Sequence, residues 1–350
     1  MCIIKIENIM NQKILDATKN ILEKNLEIGK SPYKENPVIV VYDRECELTK
    51  NIGEWYRENL KNRDNSQVII FEEIEAEILK DKLMSLPENS TVVLVQSRDF
   101  RLDDFRIRLN LHNKWVGCLE HNHLIYLREW EDDTYIDAIS YRWEEYERLS
   151  NKFKDICDRA ETAKFVCHNG DTLEISGGFE DMKQNIADYT GKRRGSTFPC
   201  GENFSESKDF DKVNGKLSIN CYPDFDMNIH FCEPFTVDIN NSFLTCDDPK
   251  CPPIFREFLD KIAASEDWVV MLRELGFWLN PAISNKTPLN DVNAFERKAW
   301  FHFSMWKKHG IYRKKLDRKV VQRYHIDVFP DIKEIYFDDI LVFADNKYII

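Results

Sequence analysis

The sequence has little glycine and no long apolar run, and these absences exclude several classes of protein. Glycine accounts for 12 of 350 residues, about half of the usual ~7%, and neither the G-x-G-x-x-G pattern nor the P-loop pattern occurs. The longest apolar runs, Val38–Tyr42 and Thr91–Val95, are far shorter than the ~20 residues of a membrane helix. Because Glu7 also interrupts the N-terminal residues before a secretory apolar stretch develops, we expect a cytoplasmic protein without a membrane span.

A surplus of basic residues is also absent. The chain has 49 Lys and Arg residues against 61 Asp and Glu residues, which gives a net charge of -12. An acidic surface repels the phosphate backbone of a nucleic acid. The sequence therefore predicts no nucleic-acid partner.

Closely paired cysteines are missing as well. The ten cysteines include no C-x-x-C pair and are widely spaced, unlike the disulfide framework of a small secreted domain. We expect most of them to be buried, reduced thiols. A thiolate zinc site stays an alternative, although its ligands are usually paired more closely than Cys221, Cys232, Cys246 and Cys251.

Short apolar runs alternate with amphipathic stretches over residues 37–97, and this rhythm predicts a β-α-β-α-β order. The chain is longer than the ~100–200 residues of one ordinary domain, and 43% of its residues are hydrophobic. We therefore expect a three-layer α/β domain with a mostly parallel sheet over residues 1–160, closed by one long helix over residues 133–160. The predicted strands cover residues 38–42, 68–71 and 92–95, and the predicted helices cover residues 49–60 and 73–84.

The pattern changes after residue 161. An Asn169-Gly170 turn separates two short alternating segments, which is typical of a β-hairpin. We expect an α+β domain over residues 161–350. Its further predicted strands include residues 216–220 and 235–239, and its predicted helices cover residues 253–264 and 266–274.

Four segments of the second half carry side chains that bind metals. His325 and Asp327 lie two residues apart, so an extended strand places both on one face. His302 lies in an apolar run, and neutral imidazole is a common metal ligand. Glu202 follows a Pro-Cys-Gly turn, and Glu274 precedes Leu-Gly. Taken singly, these segments have plain alternatives: an exposed strand face, a core histidine, a turn glutamate, and a helix-end carboxylate paired with the arginine before it.

The ordered set of segments resembles the aminopeptidase T and aminopeptidase S family of two-metal leucyl aminopeptidases. That family carries P-x-G-E-V-F, E-L-G-x-G-x-N-P, a histidine strand and a final H-x-D, in this order. The matching segments begin here at Pro199, Glu274, His302 and His325. The resemblance covers residues 146–350 and implies a metal-binding, catalytic domain with a metallopeptidase-like fold over residues 161–350.

Carried over residue by residue, the resemblance implies two divalent metal ions of zinc, cobalt or manganese. Two adjacent ions can activate a water molecule for attack on a carbonyl. The resemblance further implies a peptide or small amide substrate, a homodimer, and the activity of a metallo-aminopeptidase-like hydrolase. The implied metal ligands are Glu202, Glu274, His302, His325 and Asp327, and the implied catalytic residues are Glu202 and either Tyr312 or His309.

The chain also departs from that family. Trp278 and the run from Phe303 to Trp306 stand where the family has small residues. We expect these side chains to fill or reshape the substrate side of the cleft, and therefore expect a specialised substrate.

Two other functions stay open. The dihydroxypyridine ring-cleaving dioxygenases resemble the same family but hold one Fe(II) by two histidines and one carboxylate, for which His302, His325 and Asp327 suffice. The joint presence of Glu202 and Glu274 favours two metals instead. A peptide-binding protein with a degenerate site is the third possibility, motivated by the bulky residues beside the expected ligands.

Overall fold

The computed structural model describes residues 12–97, 100, 102, 107–121, 124, 132–140, 143–187, 189, 194–224, 228–265, 270–280, 300–306 and 326–350. The helices are α1 (residues 12–20, continued by a π turn over Ile21–Asn25), α2 (Glu47–Leu60), α3 (Ala76–Met84), α4 (Ile107–His112), α5 (Asp132–Ile139), α6 (Trp143–Arg159) and α7 (Pro253–Ser265). Among the described residues, no helix combines the length and apolarity that crossing a membrane requires.

The strands follow in chain order. They are β1 (Val38–Tyr42), β2 (Ser66–Ile70), β3 (Thr91–Val95), β4 (Gly117–His121), β5 (Thr162–Cys167), β6 (Thr172–Ser176), β7 (Lys183–Gln184), β8 (Thr197–Phe198), β9 (Glu202–Glu206), β10 (Val213–Pro223), β11 (Ile229–Asn240), β12 (Phe243–Thr245), β13 (Met271–Trp278), β14 (Phe301–Trp306), β15 (Ile326–Pro330), β16 (Ile332–Phe337), β17 (Ile340–Ala344) and β18 (Lys347–Tyr348).

The chain divides into two compact units, and the division differs from the predicted boundary at residue 160. The predicted long helix over residues 133–160 is two helices, α5 and α6. Most of α6 belongs to the second unit, because Phe153 packs there against Phe277, with ring centroids 4.7 Å apart. The first unit comprises Met1–Trp143, Asn185–Cys200 and Asn280–Thr287, and the second comprises Glu144–Gln184, Gly201–Leu279 and Pro288–Ile350.

The first unit contains the predicted parallel sheet, which is confirmed. Its strand order is β2-β1-β3-β4-β8, and every neighbouring pair is parallel. All five residues of β1 and all five of β3 are buried. Strands that are buried on both faces have continuous apolar sequences rather than alternating ones. The apolar runs in the sequence therefore predict β1 and β3.

The second unit is built on a large antiparallel sheet. Its main strand order is β11-β12-β13-β14-β15-β10-β6-β5-β16-β17-β18, and an additional β10–β11 pairing joins the first six of these strands into a ring. Strand β9 pairs with β13 beside β12, and β7 pairs with β9. The predicted mixed α/β fold is thus confirmed at this coarse level.

The expected helix over residues 266–274 is wrong where the structure describes it. Residues 271–274 instead begin strand β13. The apolar spacing in this segment matches a helix period, but β13 pairs with β14 on one side and with β9 and β12 on the other. Pairing on both edges outweighs a local periodicity.

Candidate metal centre

Four neighbouring strands carry predicted metal ligands of the second unit. In the order β9, β13, β14 and β15 these are Glu202, Glu274, His302 and Asp327. The cross-strand register brings Gly276 opposite His302 and Ser304 opposite Asp327. Because alternate residues of a strand share a face, side chains far apart in sequence meet on one face of the sheet.

The donor atoms on this face lie close together. Ligand atoms of Glu202, Glu274 and His302 all lie within 4.8 Å of one another. His302 Nε2 is 3.6 Å from Glu202 Oε1 and 4.0 Å from Asp327 Oδ1. These separations allow one ion to contact several of the four side chains after small rotations.

The four side chains are largely withdrawn from solvent. His302 is only 1% exposed, and the side chains of Glu202 and Asp327 are 17% and 15% exposed. Glu274 is half-buried. Burying carboxylates costs free energy unless a cation or hydrogen-bond donors compensate their charge. Three carboxylates gathered around one imidazole therefore favour a bound cation.

Two neighbours fix the orientation of the His302 ring. A Cβ atom at position 276 would lie 2.0 Å from His302 Cε1, so the ring occupies space that glycine alone leaves open. Phe329 on β15 packs against the ring edge-on, with ring centroids 6.2 Å apart. The imidazole is therefore held in place before any ligand binds.

The donor set fits a divalent metal ion. Among the described residues, buried His302 Nδ1 has no hydrogen-bond partner, and a buried polar atom without a partner is uncommon in a folded protein. Imidazole nitrogen and carboxylate oxygen are the ligands that iron, zinc and manganese share. Glu202, Glu274 and His302 are the one group of this kind found in the described part of the chain.

The remaining predicted site residues are placed only in part. Asp327 adjoins the group through its contact with His302. His325, His309 and Tyr312 lie outside the described residues. The five-ligand set and the two catalytic assignments therefore stay predictions.

The bulky residues beside His302 do not all face the site. Phe303 and Met305 are fully buried, and the Phe303 ring contacts Phe165 of β5 at 5.2 Å, on the face of β14 opposite His302. The expectation that this run fills the cleft is corrected for these two residues. Trp278 does lie on the site side of β13, opposite Glu202 in register, and is 3% exposed.

Sequence reasoning missed Ser304. Its hydroxyl donates to Asp327 Oδ1 at 2.6 Å, and the residue is fully buried. The signal was present in β14, where the order Phe-His-Phe-Ser-Met alternates apolar and polar residues. This alternation places Ser304 on the same face as His302.

The arginine next to Glu274 has a different carboxylate partner from the expected one. Arg273 Nη2 donates to Glu206 Oε1 at 2.6 Å, and both side chains are largely buried. The β13–β14 register shifts between Leu272 and Leu275, and such irregularities re-aim side chains. Glu274 itself lies in the donor group with Glu202 and His302.

The cysteines do not form a second metal group among the described residues. Cys246 and Cys251 are buried thiols, and burial raises the pKa of both. Burial also raises the pKa of Cys200, two residues before Glu202, to about 12. These thiols stay protonated near neutral pH.

Comparison with known proteins gives a likeness to a solved structure. No protein-family model matches the chain, and no curated protein matches it. Among solved structures, 2,5-dihydroxypyridine dioxygenase from Pseudomonas putida is similar over 97% of both chains, with a TM-score of 0.65 and 14% sequence identity. At this identity the likeness shows a shared fold.

The expected assignment as a metallo-aminopeptidase-like hydrolase is corrected by this finding. The solved structure that shares the fold along nearly its whole length is a dioxygenase, which is an oxidoreductase and not a peptidase. The sequence resemblance to the aminopeptidase T and S family itself stays a prediction, since the comparisons do not bear on that family.

Proposed function

We propose that this chain is a metal-dependent dioxygenase that opens a hydroxylated aromatic ring, using one iron ion held at the candidate metal centre. The observation that carries the proposal is the buried group of an imidazole and carboxylates, in a chain that shares its fold with 2,5-dihydroxypyridine dioxygenase. An iron ion with vacant coordination positions would supply the one-electron chemistry through which an aromatic ring reacts with dioxygen.

His302 is the anchor of the proposed iron site. It lies near Glu202 and Asp327, and it completes a two-histidine, one-carboxylate set if His325 also contributes, as the H-x-D spacing suggests. The described residues alone offer His302 with Glu202 and Glu274. Both ligand sets contain His302, so its replacement is the sharpest test of the centre.

The site has more carboxylates than a single iron ion needs. A carboxylate that does not bind the ion can accept a proton from a ring hydroxyl within hydrogen-bond reach. Deprotonation makes the ring richer in electrons and easier to oxidise. Glu202 and Glu274 are the candidates for this role, because their oxygens lie close to the imidazole.

The burial of the site suits this chemistry. His302 is 1% exposed, and Trp278 and Phe329 beside it are each 3% exposed. Aromatic side chains offer flat apolar surfaces against which a ring can stack. Limited access of water also protects a reactive aromatic intermediate from side reactions.

The test is anaerobic loading of the full chain with Fe(II), followed by measurement of bound iron and of oxygen uptake with 2,5-dihydroxypyridine and other dihydroxylated rings. We expect about one iron per chain, the number that a facial triad holds, and oxygen consumption matched by loss of ring absorbance. His302→Ala should abolish both iron binding and oxygen uptake. Ser205→Ala, on the opposite face of β9, is the control that should retain both. Two tightly bound ions without oxygen uptake on any ring would refute the proposal.

A further inference from the structure

Ser304 makes a short hydrogen bond to Asp327, a member of the candidate metal centre. Its Oγ lies 2.6 Å from Asp327 Oδ1, within the range of a hydroxyl bound to a charged carboxylate. The same oxygen lies 4.0 Å from His302 Nε2. The Asp327 carboxylate of β15 therefore lies between the Ser304 hydroxyl and the His302 imidazole, both of β14.

The contact follows from strand geometry. Ser304 and Asp327 are directly opposite in the antiparallel β14–β15 register, and cross-strand neighbours of this kind have Cβ atoms about 4.5–5.5 Å apart. Ser304 is fully buried, and a buried hydroxyl is costly unless it is hydrogen-bonded. Asp327 provides its acceptor, and in return the hydroxyl restricts the rotation of the carboxylate.

We infer that Ser304 is a positioning residue that sets the orientation of the Asp327 carboxylate toward the metal centre. The inference rests on the proposed function, because it requires that the centre binds a metal. Residues that hydrogen-bond to metal-ligating carboxylates fix their direction, and their loss costs about 10–100-fold in metal affinity or activity. The serine hydroxyl does not need to touch the ion to have this effect.

A merely structural serine gives a different expectation. Filling a buried strand position requires only volume, which alanine nearly provides. Ser205 on β9 supplies a matched comparison, because its hydroxyl also donates at 2.6 Å, to Glu180 O, from the opposite face of the same sheet, two strands away from β14. Loss of either hydroxyl should cost similar folding free energy, and only loss of the Ser304 hydroxyl should change metal binding.

The experiment is titration of the metal-free full chain with Co(II), followed by its visible absorption, and with Fe(II) under anaerobic conditions. We expect Ser304→Ala to weaken binding of both ions about 10–100-fold and to change the Co(II) spectrum, since the ligand direction changes. Ser304→Thr should restore affinity and spectrum, and Ser205→Ala should leave both as in the wild type. Should Ser304→Ala fail to fold, Ser304→Cys, a weaker donor of similar size, takes its place.

Metal titration and oxygen uptake test the Ser304 role and the dioxygenase proposal separately. Unchanged metal affinity and an unchanged Co(II) spectrum in the Ser304 variant would overturn the positioning role while leaving the dioxygenase proposal intact. A wild-type chain that binds metal but consumes no oxygen would overturn the dioxygenase proposal while leaving the Ser304 comparison valid. A wild-type chain that binds neither ion would overturn both.

Discussion

Gly276 lies directly against the imidazole ring of His302. A Cβ atom at position 276 would be 2.0 Å from His302 Cε1 and 2.2 Å from Nε2, far inside van der Waals contact. The two residues are opposite each other in the β13–β14 register. The ring can therefore keep its place only while residue 276 has no side chain.

This contact predicts the effect of Gly276→Ala. The added methyl group must push the imidazole away from Glu202 and Glu274, so we expect at least a tenfold loss of metal affinity, comparable to the loss of a supporting residue. Overpacking should also destabilise the fold by about 1–3 kcal/mol. Metal titration and urea unfolding measure the two effects.

Gly29→Ala is the matched control for this change. No atom lies within 4 Å of a Cβ built at Gly29, so the same substitution should leave metal affinity unchanged. Equal metal binding by the two variants would show that the His302 position does not depend on Gly276.

The fold was accessible to sequence reasoning where its signals are local. Strands β1 and β3 are apolar runs buried on both faces, and a short apolar run is visible in the sequence itself. The prediction of a helix fails over residues 271–274 of β13 because the strand depends on pairing with β9 and β14, which are distant in sequence. Long-range pairing leaves no fixed local pattern.

The candidate site shows the same limit. Glu202, Glu274 and His302 were recognisable as metal-binding residue types, and the structure brings them together. Ser304 was missed because its importance comes from its cross-strand partner, Asp327. A two-residue alternation gives the face of a side chain but not its neighbour on the next strand.

A second prediction concerns pH and the buried His121 of the first unit. Tyr56 Oη lies 2.8 Å from His121 Nε2, and Tyr135 Oη lies 2.7 Å from Nδ1. Burial lowers the pKa of His121 from 6.5 to about 3. The unfolded chain therefore binds a proton that the folded chain excludes, and stability is lost as pH falls from 6.5 toward about 3.

Within that pH window, His121 should lower the free energy of unfolding by about 1.4 kcal/mol for each unit by which the pH falls. We expect His121→Gln to make the unfolding free energy less dependent on pH below 6.5, as measured by urea titration at several pH values. Tyr56→Phe removes a hydroxyl but keeps the imidazole buried, so it should lower stability and retain the slope. Parallel pH profiles for His121→Gln and the wild type would contradict the assignment.

A third prediction concerns Arg194, a buried cation of the first unit. It is 2% exposed and donates to Tyr189 O and Thr91 Oγ1, each at 3.2 Å, and to Leu26 O. Its guanidinium also stacks on Tyr33, 3.3 Å from the ring centroid. A lysine keeps the charge but cannot reproduce this planar set of donors.

We therefore expect Arg194→Lys to lower the free energy of unfolding by about 2–4 kcal/mol, since buried acceptors lose their partners. Arg159→Lys, at the exposed end of α6, should change it by less than about 0.5 kcal/mol. Chemical unfolding of both variants makes the comparison, and equal stabilities would show that the donor geometry of Arg194 is dispensable.

The last prediction uses the mutual repulsion of the carboxylates at the candidate metal centre. Oxygens of Glu202 and Glu274 lie within 4.8 Å of each other, a distance at which like charges repel by about 1 kcal/mol in water and by about 3–4 kcal/mol at an effective dielectric constant of about 20. Glu274→Gln should therefore raise the melting temperature of the metal-free chain while weakening metal binding at least tenfold. A higher melting temperature together with weaker metal binding is characteristic of a metal ligand and not of a structural carboxylate.

Glu206→Gln is the control on β9. The Glu206 carboxylate accepts a hydrogen bond from Arg273, so loss of its charge should lower the melting temperature. If Glu274→Gln destabilises the metal-free chain and leaves metal affinity unchanged, Glu274 is a structural residue and the centre must be built without it.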